Sequence, residues 1–195
     1  MPNDHPWACR AIIVLISGSL RARSASSAAI LAAAELAPDH VTPTIYAGLS
    51  ELPHFNPDHD CDPLPEPVAR LRMLLGKAHA VMLSTPEYAG SLPGSFKNMI
   101  DWTVGGASLY QRPIGWINPS AHGGAQETYK DLRTVLERAG AVIVEEACVA
   151  VPVPPTALTA DGHIAAPDIR ATIADAMAAL VRAASAHDEN APPSS

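Results

Sequence analysis

The sequence predicts an α/β fold in which a doubly wound, five-stranded parallel sheet carries helices on both faces. Three observations predict it: apolar runs without alternation, segments of helical period, and a regular alternation of the two along the chain. Unbroken apolar runs are typical of strands that are buried on both faces. Because parallel strands need right-handed crossovers, the intervening helices are expected to cover both sides of the sheet.

Five apolar runs are the predicted strands, and helical segments separate them. The strands are 11–16, 41–46, 81–83, 114–117 and 141–144. Apolar residues recur at helical spacing in four segments, namely Ile30, Leu31 and Ala34; Val68, Leu71 and Leu75; Tyr129, Leu132, Leu136 and Ala139; and Ile169, Ile173, Met177 and Leu180. A further helix is expected from Pro93 to Trp102.

The chain of 195 residues is expected to form a single domain over 1–186, with a disordered tail over 187–195. Thirteen Lys and Arg against 20 Asp and Glu give a formal charge of −7, which disfavours binding to nucleic acid or an anionic membrane. No stretch has the pattern of a basic leader or a membrane span, so a cytoplasmic location is expected. Cys9, Cys61 and Cys148 are widely spaced and are expected to stay reduced.

Three loops follow the first, third and fourth predicted strands, at 17–24, 84–92 and 118–125. Open parallel sheets bind ligands beyond the carboxyl ends of their strands, near the point where the strand order reverses. These loops are therefore the predicted functional region.

The first of these loops combines hydroxyl groups, a guanidinium group and a helix start. It contains Ser17, Ser19, Arg21 and Ser24, with Ser26 just beyond it. A helix N-terminus presents unpaired N–H groups and partial positive charge, so the set predicts a phosphate site. The alternative is that Ser24 only caps the helix. The loop matches neither the P-loop nor the dinucleotide pattern, and in a doubly wound five-stranded sheet a monophosphate favours FMN.

Three segments resemble the NADPH-dependent FMN reductase family, a flavodoxin-like group. They read ISGSLRARS at 16–24, STPEYAGSLPGSFKNMIDW at 84–102 and GGAQETYKDLRTVLERAGA at 123–141. The resemblance implies a flavodoxin-like sheet with strand order 2-1-3-4-5 and a bound FMN.

The resemblance also implies that the second and third loops border the isoalloxazine ring of FMN. Glu87 is interpreted as a structural rather than a catalytic residue, and His122 as a solvated side chain. The expected cofactor-binding residues of these loops are Pro86, Glu87, Tyr88, Ala89, Gly90, Ser120, Gly123 and Gly124.

The sequence departs from the family pattern at three places. Ala89 stands where the family usually has Asn, which removes a side-chain hydrogen bond of about 0.5–1.5 kcal/mol. Ser26 replaces another common Asn but can still donate a hydrogen bond, and the loop at 118–124 is short.

Two proline-rich stretches, 47–67 and 151–167, are predicted loops. The first contains residue types that bind metals, but it has no matching set of ligands elsewhere, so no metal site is predicted. By resemblance it is expected to be a mobile lid over the flavin or a neighbouring subunit. Its metal-binding residue types are His54, Asp58, His59, Asp60, Cys61 and Asp62.

The predicted function is transfer of hydride from NADPH or NADH through FMN to a small-molecule acceptor such as a quinone, an azo compound or free flavin. The cofactor supplies this chemistry, so no catalytic side chain is predicted. A homodimer or homotetramer is expected by resemblance, with 47–67 and the helix from Pro93 to Trp102 as suspected contact surfaces. Two alternatives stay open: an electron carrier that docks on a protein partner, and an interaction module without flavin.

Overall fold

The computed structural model of the protein describes residues 10–121 and 124–189. The strands are β1 (Ala11–Ser17), β2 (Val41–Tyr46), β3 (Ala80–Ser84), β4 (Pro113–Asn118) and β5 (Val142–Ala150). The helices are α1 (Ala25–Glu35), α2 (Glu66–Gly76), α3 (Gly94–Val104), α4 (Gln126–Arg138) and α5 (Pro167–Glu189). All strand pairs are parallel, and the order β2-β1-β3-β4-β5 confirms the predicted flavodoxin-like sheet.

Strand β1 shows why its sequence does not alternate between apolar and polar residues. Ile13 and Leu15 pack in a core cluster with α1 and α5. Val14 and Ile16 pack in a second cluster with α2, α3 and α4. All four side chains have no exposed surface, so both faces of the strand are core. Burying each contributes about 1.5–3 kcal/mol.

Strand β5 is longer than predicted, because it extends to Ala150 instead of ending at residue 144. A bulge interrupts its pairing with β4. Glu145 and Glu146 are exposed in this part of the strand, so it lacks the unbroken apolar run of the other strands. Arg133 of α4 donates two hydrogen bonds of 2.7 Å to the Glu145 carboxylate. Edge strand β5 therefore exposes charged side chains, which is common in edge strands because charge opposes pairing with another chain.

The final helix continues to Glu189, three residues into the segment that was expected to be a tail. Residues 190–195, like Cys9, lie outside the described residues. Cys61 and Cys148 are free thiols. Within the described part of the chain, no helix combines the length and apolarity needed to cross a bilayer.

The segment between β2 and α2 is fastened to α3. The Asn98 side chain accepts a hydrogen bond from the Phe55 N–H at 2.7 Å and donates one to the Pro53 carbonyl at 2.9 Å. The Trp102 indole N–H donates to the same carbonyl at 2.8 Å. Pro53 and Phe55 of the expected lid are thus bonded to an amide and an indole of α3.

The metal-binding residue types of this segment have other partners or lie apart. Asp60 forms an ion pair with Arg72 of α2 at 2.7 Å, and both side chains are largely buried. Among residues 10–121 and 124–189, no group of three or more His, Cys, Asp or Glu side chains is arranged to hold a metal ion.

Candidate functional site

The three predicted loops meet in one cleft at the carboxyl edge of the sheet, with a volume of about 250 Å³. They follow β1, β3 and β4, as the sequence predicted. Eight of the predicted site residues line this cleft, which we call the three-loop cleft: Ser19, Arg21, Ser24, Ser26, Pro86, Glu87, Tyr88 and Ser120.

The remaining predicted residues are placed differently. Ser17 lines a neighbouring cavity instead. Ala89 and Gly90 form a turn beside the cleft without lining it. Gly124 is bonded to Asn118 behind the third loop. Gly123 lies outside the described residues, as does His122.

The first and second loops approach each other closely, and Gly18 makes the approach possible. Its N–H donates a hydrogen bond of 2.8 Å to the Ser84 carbonyl at the end of β3. A Cβ atom at this position would lie 2.3 Å from the Thr85 Oγ1 atom, which is a severe clash. Glycine is therefore required here for a close contact between loops.

The start of α1 offers free donors to an anion in the cleft. Ser24 is the N-cap, and its hydroxyl accepts a 3.0 Å hydrogen bond from the Ser27 N–H, so the capping role considered from the sequence is real. The N–H groups of Ala25 and Ser26 come first in the helix and have no carbonyl to bond within it. Together with the exposed Arg21 side chain, they form a donor set typical of phosphate sites.

The second loop contains a two-residue hairpin turn centred on Ala89 and Gly90. Tyr88 and Ser91 exchange backbone hydrogen bonds of 3.0 and 3.1 Å across it. Both central residues have positive φ, +52° and +78° respectively. A type I′ turn has this pattern and strongly favours Asn-Gly. Asparagine is therefore the residue that this backbone favours at position 89, which is also the residue that the family resemblance implies there.

Side chains of α4 hold the second loop in place. Thr128 donates a 2.9 Å hydrogen bond to Glu87, which gives that carboxylate a structural partner. Asp131 accepts a 2.6 Å hydrogen bond from the Ser91 hydroxyl on the other side of the turn. The loop is thus bonded to the first half of one helix at both ends of its hairpin turn.

Tyr129 is the residue of the site that sequence reasoning missed. Its hydroxyl accepts a 3.0 Å hydrogen bond from the Thr85 N–H, and it lies 3.0 Å from the Thr85 carbonyl and 2.7 Å from the Ile117 carbonyl. The side chain is 6% exposed, and burial raises the pKa of Tyr129, so the phenol stays protonated. Helical spacing predicts the buried ring but gives no signal for the hydroxyl.

The third loop is shaped by Asn118, the last residue of β4. Its Oδ1 atom accepts a hydrogen bond from the Ser120 N–H at 3.0 Å, and its Nδ2 atom donates to the Gly124 carbonyl at 3.1 Å. The side chain is buried, and its two hydrogen bonds connect the start of the short loop to its end.

Among the described residues of the cleft lining, two side chains carry charge. Arg21 supplies the positive charge, and Glu87 supplies a carboxylate that Thr128 already engages. The rest of the described lining consists of hydroxyls, prolines, an alanine and the Tyr88 phenol. This composition suits the binding of a phosphorylated planar ligand better than acid–base catalysis by paired side chains.

Comparison with known proteins connects this geometry to a family. Residues 12–154 match the sequence model of the NADPH-dependent FMN reductases. An NAD(P)H-dependent FMN reductase of Pseudomonas aeruginosa is 40% identical over 87 residues, 45% of this chain and 46% of the relative. A 2-hydroxy-1,4-benzoquinone reductase of a Burkholderia species is 29% identical over 177 residues, 87% of this chain and 96% of the relative.

A solved structure shares both the fold and detectable sequence similarity. The flavoenzyme NAD(P)H:(acceptor) oxidoreductase FerB of Paracoccus denitrificans superposes with a TM-score of 0.80 at 28% identity. The match covers 91% of this chain and 98% of FerB. In contrast, the chain spans about half the length of several curated reductases that it matches.

The backbone at position 89 leads to a stability prediction. Ala89→Asn is expected to raise the free energy of unfolding by about 0.5–1 kcal/mol, because asparagine tolerates positive φ better than alanine does. Urea unfolding followed by circular dichroism measures the change. Ala89→Val is the matched control and should destabilise, since β-branched residues disfavour positive φ. Equal stability of all three proteins would contradict the turn.

The phenol of Tyr129 leads to a second stability prediction. Tyr129→Phe keeps the ring but leaves the Thr85 N–H and the Ile117 carbonyl without their partner, so it is expected to destabilise the protein by about 1–3 kcal/mol. Tyr110→Phe is the control, because Tyr110 is 60% exposed, and it should change stability by less than about 0.5 kcal/mol. Similar unfolding midpoints in urea for the two variants would refute the role assigned to Tyr129.

Proposed function

Because the chain belongs to the NADPH-dependent FMN reductase family, we propose that it binds FMN in the three-loop cleft and catalyses oxidation of NADPH or NADH. The proposed acceptor is a small oxidised molecule such as a quinone, an azo compound or free flavin. The observation that carries the proposal is the convergence of the three loops on one cleft that has an anion-binding helix start within it.

The residues of the cleft fit FMN by the chemistry of their donors. The first two N–H groups of α1, the Ser19 hydroxyl and the Arg21 guanidinium would hold the phosphate. One guanidinium with one helix terminus matches a monophosphate. The positive donors lie at the β1–α1 loop, so the phosphate would be bound there and the ring would extend toward the loops after β3 and β4.

The second and third loops would hold the isoalloxazine ring. Pro86, Tyr88 and Ser120 line the cleft on these loops and would form its walls. Tyr88 is 49% exposed, so its ring is accessible from solvent and can contact a second planar molecule beside the flavin. Exposed aromatic surface of this kind suits stacking of a nicotinamide or a quinone.

When bound, FMN supplies the redox chemistry, taking hydride from the nicotinamide and passing electrons to the acceptor. The residues of this chain would bind and orient the reactants, and Glu87 accepts a hydrogen bond from Thr128 that supports the loop. The names of the Burkholderia quinone reductase and of FerB support a quinone-type or similarly broad acceptor class.

The proposed assembly is a homodimer or homotetramer, and the proposed location is the cytoplasm. Family resemblance supports the assembly. Pro53 and Asp60 of the suspected contact segment are bonded to α3 and α2 of their own chain, so the proposal favours exposed apolar side chains elsewhere as the contact surface. Met73 and Val104 are each more than half exposed and are better candidates for contact with a second copy.

Reduction of bound flavin tests the enzymatic proposal directly. The purified protein, loaded with FMN under anaerobic conditions, is expected to lose the visible absorbance of oxidised flavin when NADH or NADPH is added without any partner protein. Rapid mixing measures the rate for each donor. Flavin that stays oxidised with both donors but is reduced by a ferredoxin-type reductase would instead make the protein an electron carrier.

Phosphate recognition tests the placement of FMN. Arg21→Ala is expected to weaken FMN binding by about tenfold, as the loss of one charge-assisted hydrogen bond would, and to leave riboflavin binding unchanged. Fluorescence quenching measures both affinities. Arg23→Ala is the matched control, since Arg23 lines a different cavity near Asp161. Equal weakening of FMN and riboflavin by Arg21→Ala would place the phosphate elsewhere.

A further inference from the structure

A second cavity of about 250 Å³ lies next to the three-loop cleft, between the carboxyl ends of β1 and β2. We call it the β1–β2 cavity. Ser17, Leu20, Ile45, Tyr46 and Ser50 are among the residues that line it. Ser19 lines both this cavity and the three-loop cleft, so the two open on either side of the same loop.

The lining of the β1–β2 cavity combines hydroxyl groups with exposed aliphatic side chains. Ser50 provides an exposed hydroxyl, which can donate to and accept from a sugar or a heterocycle, whereas the Ser17 hydroxyl is already bonded to Ser27 and to the Ser19 N–H. Leu20 is 57% exposed and Ile45 is 45% exposed, and both belong to the lining. An exposed pair of aliphatic side chains beside hydroxyls suits a molecule that has a flat apolar part and a polyhydroxy part.

Tyr46 gives independent evidence for a ligand at this place. Its hydroxyl oxygen is buried and has no hydrogen-bond partner within the described part of the chain. Burial raises the pKa of Tyr46 to about 12, so the group is a neutral donor. A Cβ atom at Gly48 would lie 3.0 Å from this oxygen, so glycine at position 48 lets the loop pass closely by the phenol. Unpaired buried hydroxyls are rare and destabilising.

We propose that the β1–β2 cavity binds the adenosine half of the nicotinamide dinucleotide, while its nicotinamide end reaches the three-loop cleft. The inference rests on the proposed function. A donor that places its nicotinamide against a flavin must lodge its adenosine half outside the flavin cleft. The β1–β2 cavity is at the same edge of the sheet, shares Ser19 with the cleft, and offers contacts to both a base and a ribose.

The charges around the cavity favour NADH over NADPH. Of the described residues that line it, none is Lys or Arg. Arg70 lies near Tyr46, but its guanidinium is already paired with Glu51 and Glu66, each at 2.5 Å. The 2′-phosphate of NADPH would therefore find no cation in the described lining, and the nearby Glu51 carboxylate would disfavour it, whereas the ribose diol of NADH needs only neutral or acidic partners.

Comparing two hydride donors, NADH and reduced nicotinamide mononucleotide, tests this inference separately from the proposed function. Reduced nicotinamide mononucleotide lacks the adenosine half, so it reduces the flavin without using the β1–β2 cavity. Ser50→Trp fills the cavity from an exposed position and is expected to raise the KM for NADH about tenfold while leaving the rate with the mononucleotide unchanged. Thr42→Trp, at an exposed position near the other end of β2, is the matched control and should change neither.

Binding of 5′-AMP to the FMN-loaded protein provides a readout that does not depend on turnover. Calorimetry is expected to show AMP binding, competitive with NADH, that Ser50→Trp abolishes. 2′,5′-ADP should bind several-fold more weakly than AMP. No AMP binding, or a KM for NADH unchanged by Ser50→Trp, would overturn the proposal, while flavin reduction by the mononucleotide would still support the enzymatic function.

Tyr46→Phe is a second variant that keeps the proposal testable if Ser50→Trp unfolds the protein. Removing an unpaired hydroxyl is expected to leave the thermal midpoint unchanged or higher. If the ligand accepts a hydrogen bond from that hydroxyl, the variant binds AMP about three- to tenfold more weakly. A lower thermal midpoint together with unchanged AMP affinity would show that the phenol serves the fold and not a ligand.

Discussion

The geometry of the site depends on the hydroxyl of Tyr129. It lies within hydrogen-bond distance of three backbone groups at the ends of β3 and β4, which belong to Thr85 and Ile117. A phenol has one proton, so it accepts from the Thr85 N–H and shares its donation between two carbonyls. Because the group is buried, water cannot replace these bonds. A buried hydroxyl thus fixes the positions of the loops after β3 and β4 relative to each other.

The same helix supplies the other constraints on the second loop, which makes α4 the scaffold of the cleft. Thr128, Tyr129 and Asp131 contact Glu87, Thr85 and Ser91 within little more than one helical turn. Binding residues on loops are well positioned only when rigid elements support them. Here α4 packs on the sheet through Leu132 and Leu136. Because this apolar packing fixes the helix, the polar side chains of α4 hold the second loop in a fixed position.

The sequence predicted the parts of the molecule that local pattern controls, and it failed where tertiary contacts decide. Unbroken apolar runs and glycine- and proline-marked loops were enough to place the cleft at the ends of β1, β3 and β4. The second half of β5 was missed because Glu145 and Glu146 face solvent at an edge strand, where charge is tolerated. The packing of Pro53 was not predicted because its carbonyl bonds to Asn98 and Trp102, which lie 45 and 49 residues away in the sequence. Local residue spacing gives no information about contacts over that distance. Positive φ at Ala89 was equally hidden, since alanine gives no turn signal.

The polar groups at the carboxyl edge of the sheet fall into two kinds, and the difference bears on specificity. Glu87, Asn118, Tyr129 and Ser24 are bonded within the protein, so they maintain shape. Arg21, the opening N–H groups of α1 and the Tyr46 hydroxyl are the donors left over for ligands. In the proposed function the first two, at the three-loop cleft, would hold a phosphate, and the third, in the β1–β2 cavity, would donate to a neutral acceptor. Ser19 borders both spaces, and its hydroxyl accepts a hydrogen bond from the Arg21 N–H, so the β1–α1 loop connects them physically. Flavin and dinucleotide affinities are therefore expected to be coupled through this loop rather than through the ring alone.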